Sequence, residues 1–458
     1  MRVTSSILAG LFLTACSVGP DYRPPSTDLP DRYSLLAPVT KAGTSDLEWW
    51  RDFDDPVLDR LVARAMVDNI SIAEARERVA EAQAEARRAG VPLSGDATAT
   101  IRDNSRGSDT ASAGLSAEYN LAGRAGWAGR AASQRLNAAE IGVEEARRLL
   151  LAELGSAYIE LRFLQESLTY RNQDMASRRR TLRDLNTKLE VGEGTRLDTL
   201  RAEALILETQ ADIPQVGARI VQQRNRISTL LGVPVGSLGI DLSHTGSQPR
   251  PIGATQPGVP ADLLRARPDI RIAERRYAAA VSDLGVAEAS RYPSLSLSGA
   301  ITAPLSGGSS TESLAAGLVL PVFDQPGLAA AADSAESRAR QAYLQWLRTV
   351  LEAVEQVENE LAALRAARQA VAASRQLVAL NQEALSVSRE LLTQGGNATV
   401  LDVIDRERSL SAARATLAAD LRDLALAHIN LRTALGIGHS DPIVINTNAA
   451  RPTSNDAG

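Results

Sequence analysis

Apolar residues recur every seven positions along two long segments of the chain. The first series runs from position 154 to 189 and the second from 357 to 392, with a constant offset of 203 residues. The members are Leu154, Leu161, Leu168, Met175, Leu182 and Leu189, matched by Val357, Leu364, Val371, Val378, Leu385 and Leu392. A sustained seven-residue apolar repeat is typical of long helices that supercoil on partner helices. We therefore predict helices over 126–191 and 327–394, each roughly 100 Å long at a rise of about 1.5 Å per residue.

Shorter segments before each long helix alternate between apolar and polar residues. Residues 294–302 read SLSLSGAIT, residues 114–120 and 313–320 alternate in a similar way, and residues 93–102 give a weaker pattern. The period of two predicts two β-hairpins, at about 93–120 and 294–320. Strands with a lipid-facing and a lumen-facing side alternate in this way, but so would two hairpins half-buried on a helical body. Four strands cannot close a membrane barrel, which needs about eight. Either the hairpins lie outside a membrane or several chains share one barrel.

The chain also repeats shorter motifs, which indicates an internal duplication. Residues 70–76 (ISIAEAR) return as 270–276 (IRIAERR), and residues 231–233 (LGV) return as 435–437 (LGI). We predict a first structural repeat over 56–250, a second over 251–440, and a C-terminal tail over 441–458. Each repeat is expected to contain a short helix pair, a hairpin, a very long helix, a turn and a second long helix.

The N-terminus resembles a lipoprotein export signal. Cys16 is the only cysteine, and it follows a short basic and apolar leader that ends in Leu13-Thr14-Ala15. This pattern resembles the bacterial lipobox, in which the signal is cut before a cysteine that carries lipid. We predict a signal peptide over 1–15, lipidation at Cys16 and a lipid-anchored tether over 16–55. The alternative is a chance cysteine in an ordinary signal peptide.

Composition excludes several classes of protein. The net charge of −5 leaves no basic footprint for nucleic acid, and the abundance of alanine, leucine, arginine and glutamate favours long helices. No nucleophile–base set or metal-ligand cluster is evident. The three histidines, His244, His428 and His439, are far apart in sequence, and structural or surface roles are expected for them. We therefore predict neither enzymatic activity nor a cofactor or bound metal.

Several motifs, taken in order, resemble one known family. The motifs are the segments 16–22 (CSVGPDY), 49–56 (WWRDFDDP), 267–271 (RPDIR), 292–295 (YPSL) and 396–403 (GNATVLDV). With the lipobox and the duplication, they resemble the TolC-like outer membrane factors, in the lipoprotein (NodT-type) branch of tripartite multidrug efflux pumps. The resemblance implies a mainly α fold with a small β part. Three chains would share a twelve-stranded β-barrel and a long periplasmic α-helical barrel. One departure is Leu121-Ala122-Gly123-Arg124, which lacks the family's aromatic residue at the junction between strand and helix.

The resemblance also implies roles for residues at the helix turns. The turns at Gly192 and Gly194 and at Gly395 and Gly396 would be the tips that dock a periplasmic adaptor. Asp402 and Asp405, with Asp198 as the first-half counterpart of Asp402, would line a periplasmic gate. Without the resemblance, these aspartates would be read as solvated residues at helix starts. The family's gate arginine is replaced by Ala398, which leaves Arg196 and Arg201 as available partners.

The expected function is a passive outer membrane exit duct for drugs or other small molecules. The expected partners are two further copies of the chain, a periplasmic adaptor protein, an inner-membrane pump of the resistance-nodulation-division class and outer membrane lipid, with no nucleic acid. The alternatives are a lipid-anchored periplasmic coiled-coil scaffold without a pore, the exit duct of a type I protein secretion system, and a periplasmic enzyme, which lacks a catalytic constellation.

Overall fold

The structure is a computed structural model that describes most of the chain between residues 19 and 437. The described residues are 19–30, 32–34, 48–89, 91, 94–103, 109–243, 247–252, 260–262, 267–394 and 398–437. The predicted signal peptide, Cys16, His244, Gly395, Gly396, His439 and the tail over 441–458 lie outside them.

Seven α-helices and four strands make up the regular structure of the described residues. In chain order they are α1 (Pro56–Asp68), α2 (Ile70–Ala89), β1 (Ser94–Arg102), β2 (Thr110–Asn120), α3 (Arg124–Glu190), α4 (Arg196–Leu230), α5 (Pro268–Ala289), β3 (Ser294–Pro304), β4 (Thr311–Val319), α6 (Gln325–Thr393) and α7 (Val400–Ala434). Short 3-10 turns cover Trp49–Phe53 and Pro260–Asp262. Among the described helices, none combines the length and apolar composition needed to cross a membrane.

The two predicted long helices are α3, with 67 residues, and α6, with 69 residues. Their ends lie within two residues of the predicted ends. None of the twelve heptad positions is exposed, since each is buried or half-buried. Before the second hairpin, the described residues contain the 3-10 turn Pro260–Asp262 and the helix α5, and residues 263–266 lie outside the described residues.

The chain divides into two compact units, and both sequence repeats contribute to each. Unit 1 consists of 1–29, 74–143 and 268–352, and unit 2 consists of 30–73, 144–267 and 353–458.

The described residues of unit 1 contain a four-stranded antiparallel sheet in the order β1-β2-β3-β4. The two predicted hairpins are therefore joined through β2 and β3. The segment over 93–102, which alternates only weakly, is a full strand whose nine residues all pair with β2. Backbone hydrogen bonding holds this strand, because the apolar side of β1 offers mainly alanine and glycine to pack.

The register separates the sheet into an apolar and a polar face. Tyr119 lies opposite Leu295, and Leu295 lies opposite Leu318, so all three side chains share one face. The same face carries Ala97, Ala99, Ile101, Ala113, Leu115, Ala117, Leu297, Ile301, Leu314 and Ala316, with Glu312 as its charged exception. Serine and threonine predominate on the opposite face. The exposed fractions of Ile101, Leu115 and Leu314 are 77%, 70% and 89%, so the described residues leave much of the apolar face uncovered.

Trp127 fills the junction between β2 and α3, where the sequence lacks the expected aromatic residue. It lies on the first turns of α3 and packs with Ala122, Val286 and Ala289. Two glycines border its ring: a Cβ on Gly19 would lie 2.5 Å from Trp127 Cζ2, and one on Gly285 would lie 2.6 Å from Trp127 Cε3. An aromatic side chain therefore packs at this junction, and it comes from a position five residues after Ala122.

Unit 2 is a bundle of helices, and the N-terminal segment Trp49–Phe53 packs against it. Asp52 Oδ2 lies 2.9 Å from His428 Nε2 and accepts a hydrogen bond from Arg432 Nη2 at 2.7 Å. Phe53 meets the His428 ring edge-on, and a Cβ on Gly155 would lie 2.7 Å from the ring of Trp49. His428 is thus a buried structural residue, one of the two roles expected of it.

Candidate functional site at the turns between the long helices

The turn after α3 is a Schellman motif centred on Gly192. This residue has φ = 78°, its N–H donates to Leu189 O at 3.1 Å, and the Glu193 N–H donates to Lys188 O at 2.8 Å. The left-handed backbone explains the glycine, since a Cβ there would meet nothing within 4 Å. Gly194 serves a different need, because its Cβ would lie 3.0 Å from the Leu189 backbone nitrogen.

Threonine caps begin both helices that follow the turns. Thr195 caps α4 and Thr399 caps α7, and each side-chain oxygen accepts a hydrogen bond from the backbone N–H of the aspartate three residues later. At α7 the cap is reciprocal, because Asp402 Oδ2 accepts the Thr399 N–H at 2.7 Å and the Thr399 hydroxyl at 2.6 Å. These hydrogen bonds from Thr399 hold the pKa of Asp402 below its usual range. Asp198 and Asp402 therefore occupy equivalent positions in the first turns of α4 and α7. This is the helix-start position that the sequence predicts for them without the family resemblance.

Asp405 lies one turn further along α7 and differs from Asp402. Its side chain is exposed, and among the described residues none forms a salt bridge with it. Arg201 lies 3.6 Å from Asp198, and Arg196 lies 3.4 Å from Glu203, so both arginines pair within α4. In a single chain, the two available arginines therefore do not reach the acidic pair on α7.

A buried carboxylate below the turns ties three helices together. Glu407 of α7 accepts hydrogen bonds from Arg389 of α6 at 2.6 Å and from Thr181 and Ser177 of α3 at 2.8 and 3.0 Å. Its side chain is only 4% exposed, so these donors offset the cost of burying its charge. Nothing in the sequence pattern predicted this node, since the four residues are divided among three helices that are far apart in sequence.

Apolar side chains are exposed around the turns. Val191 lies in the first turn, and Leu197 and Leu401 occupy equivalent second positions of α4 and α7. Their exposed fractions are 65%, 55% and 45%. Exposed apolar residues that cluster at one end of a bundle are typical of a surface that contacts another protein. Within the described part of the chain, no group of His, Cys, Asp and Glu side chains is placed to hold a metal ion.

Comparison with known proteins identifies the family. The model of the family described as outer membrane efflux protein matches residues 61–233 and 259–437, one stretch within each predicted repeat. The chain belongs to this family. Nodulation protein T of Rhizobium leguminosarum bv. trifolii is 34% identical over 451 residues, which are 94% of this chain and 96% of that protein. The pyoverdine export outer membrane protein OpmQ of Pseudomonas aeruginosa is 28% identical over 468 residues, which are 96% and 97% of the two chains.

A solved structure of the same kind has the same fold. The outer-membrane channel OprN superposes with a TM-score of 0.82 at 28% identity, over 92% of this chain and 99% of that one. These similarities confirm the predicted family, the two-repeat and mainly helical fold class, and the outer membrane efflux function. The protein is an outer membrane efflux factor that provides an exit duct.

Proposed function

We propose that the duct is passive and is built from three copies of the chain, with an inner-membrane pump and a periplasmic adaptor delivering its cargo. The observation that carries this proposal is the two-faced sheet of unit 1. One face is apolar and exposed in a single chain, and the other is lined by serine and threonine. Strands that separate lipid from an aqueous lumen need an apolar face toward the lipid and a polar face toward the lumen.

The edges of that sheet support pairing between copies of the chain. Strands β1 and β4 are both edge strands of nine residues, and every residue of each is exposed. Long uncovered edges are rare because they template pairing with other chains. Pairing β4 of one copy with β1 of the next leaves no edge once the ring of copies closes, and three copies give the twelve strands that the family resemblance implies.

Lipidation of Cys16 fits the place where the described chain begins. Gly19 lies against the ring of Trp127, beside the end of β2. Three residues span at most about 10 Å, so an acyl chain on Cys16 would lie close to the end of the strands. The lipid and the sheet would then hold the protein in the outer membrane at the same level.

Adaptor docking is assigned to the turns at Gly192 and Gly194 and at Gly395 and Gly396. The exposed Val191, Leu197 and Leu401 support a protein contact there. The pump is assigned to the resistance-nodulation-division class on the resemblance of the motifs. The gate is assigned to Asp402 and Asp405, with Asp198 at the matching position of α4.

Native mass spectrometry of the detergent-extracted protein tests the trimer and the lipid together. We expect an assembly of three chains, each beginning at Cys16 and carrying acyl chains. A Cys16→Ser variant exported by a non-lipoprotein signal should give the same trimer without the acyl mass, because strand pairing holds the assembly. A stable monomer would contradict the shared sheet, and an unmodified N-terminus would contradict the lipidation.

Asp405→Asn tests the gate in planar bilayers without disturbing a helix cap. Threefold symmetry would create rings of carboxylates, and these should attract cations. The neutral variant should therefore have a cation-to-anion permeability ratio several-fold lower than the wild-type protein. Its conductance should no longer be blocked by multivalent cations. Reversal potentials in a potassium chloride gradient measure the preference. Asp402→Asn should act in the same direction, but it also weakens the hydrogen bonds that Thr399 donates to Asp402 Oδ2 and is the less clean change.

Asp423→Asn is the matched control for the gate. Asp423 is exposed on the same face of α7, five turns or about 27 Å further from the turn. Its loss should leave selectivity unchanged. If Asp405→Asn also left selectivity and block unchanged, these aspartates would be helix-start residues only. If the wild-type protein gave no conductance at all, the scaffold alternative would replace the duct.

A further inference from the structure

A recess between α3 and α6 in unit 2 carries more positive charge than its surroundings balance. It has a volume of about 460 Å³, and α7 forms its floor. The residues that line it are Gln173, Ala176, Ser177, Arg180, Gln382, Leu385, Ser386, Arg389, Leu410 and Arg414. Three of these are arginines, one from each helix, and none of the described lining residues is acidic.

Two of the three guanidinium groups already have carboxylate partners beneath the recess. Arg389 lies 2.6 Å from Glu407, and Arg414 lies 3.7 Å from Asp174. Both carboxylates are buried, and neither lines the recess. Glu407 and Asp174 thus neutralise Arg389 and Arg414.

Arg180 is the third arginine, and it has no such partner. Its side chain is exposed at the recess, and among the described residues none forms a hydrogen bond or salt bridge with it. Gln173, Gln382 and Ser386 add neutral hydrogen-bond donors around the same opening. The recess therefore offers one positive charge without a partner among the described residues, two positive charges that are paired with carboxylates, and several polar donors.

The recess suits a small molecule better than a segment of protein. Arg389 reaches across from α6 to donate to Ser177 of α3 at 2.5 Å, so the two helices are already in side-chain contact there. A third helix, with a diameter of about 10 Å, has no room between them. A small anion can enter such an opening and meet guanidinium groups from three directions.

We infer that this recess is a binding site for a small organic anion that carries two or more carboxylate groups. Guanidinium is planar and donates two parallel hydrogen bonds to a carboxylate, so a polycarboxylate can engage Arg180 and a second arginine at once. Such a ligand would bridge α3, α6 and α7 just below the turns. It would favour the arrangement of these helices to which it binds, in proportion to its concentration over its dissociation constant.

Calorimetric titration of the full-length protein in detergent with citrate tests this inference. At pH 7 and an ionic strength of about 0.15 M, citrate is expected to bind in the wild-type protein. Arg180→Gln should weaken the binding about tenfold or more, because a charge-assisted hydrogen bond is lost. Gln382→Glu should abolish it, since the change adds a carboxylate of similar size to the opening. Neither residue holds the fold together, so both variants should keep the wild-type unfolding temperature without citrate.

Arg179→Gln is the matched control, because Arg179 is the exposed neighbour of Arg180 and does not line the recess. It removes the same charge and should leave citrate affinity within about twofold. Equal weakening by the two arginine variants would mean general attraction to a basic surface and would overturn the site. No binding in the wild-type protein would overturn it as well. Displacement of citrate by inorganic sulfate at equal affinity would overturn the assignment to polycarboxylates.

Discussion

Gly285→Ala is expected to destabilise the protein while Trp127 is present and to lose that effect when Trp127 is removed. A Cβ at position 285 would lie 2.6 Å from Cε3 and 2.8 Å from Cε2 of the Trp127 ring. The ring cannot move away freely, because Gly19 lies against its other edge. Overpacking of this kind costs about 1–3 kcal/mol, which exceeds the gain of up to about 1 kcal/mol from replacing glycine in a helix.

Trp127→Ala should cost about 3–5 kcal/mol, the usual range for truncating a large buried aromatic residue. The double variant Gly285→Ala/Trp127→Ala should then be no less stable than Trp127→Ala alone, because the new methyl group enters the space that the ring has left. The coupling between the two positions is the quantity to measure. Chemical unfolding followed by far-ultraviolet circular dichroism gives it without relying on tryptophan fluorescence.

Gly142→Ala is the control for this pair of changes. Gly142 also lies in a helix of unit 1, and a Cβ there would meet nothing within 4 Å. This change should be neutral or slightly stabilising. Strictly additive effects of Gly285→Ala and Trp127→Ala would show that position 285 does not act through the indole ring.

The long helices and the strands could be predicted because they depend on local periodicity. A seven-residue apolar repeat specifies a helix whatever it packs against, and the ends of α3 and α6 lie within two residues of the predicted ends. Alternation likewise predicted β2, β3 and β4. The strand β1 was harder to recognise because alanine and glycine on its apolar side carry little hydrophobic signal.

The junction around Trp127 could not be predicted from the sequence. Gly19, Trp127 and Gly285 are more than 100 positions apart, and no periodic pattern connects them. The same is true of the node at Glu407, whose partners lie on two other helices. Such contacts depend on how the helices align in three dimensions, which local sequence does not encode.

The helix caps could have been predicted in more detail. Thr195 and Asp198, and likewise Thr399 and Asp402, have the spacing of a capping box in front of a long helix. That spacing distinguishes Asp402 from Asp405, which has no role in the cap. It is therefore Asp405 that most needs an explanation beyond helix initiation.

Asp52→Ala is expected to cost about 3–5 kcal/mol of unfolding free energy, because it leaves a buried charge without its partner. Arg432 is only 11% exposed and donates to Asp52 Oδ2 at 2.7 Å. His428 is buried beside it and shares the same oxygen. Asp59→Ala is the control, since it removes the same charge from an exposed position on α1 and should change stability by no more than about 0.5 kcal/mol.

The pH dependence of unfolding shows whether Asp52 acts through this cluster. Burial lowers the pKa of His428, as do the nearby charges of Arg432 and Arg368, while the hydrogen bond with Asp52 and its charge oppose them. The unfolded chain therefore takes up a proton more readily than the folded one, and stability is lost as the pH falls below about 6.5.

Removing Asp52 lowers the pKa of His428 further, so in Asp52→Ala the loss should continue to lower pH than in the wild-type protein. His428→Gln should remove this component from both backgrounds. An Asp52→Ala variant with wild-type stability and an unchanged pH profile would show that the N-terminal segment is held by Trp49 and Phe53 alone.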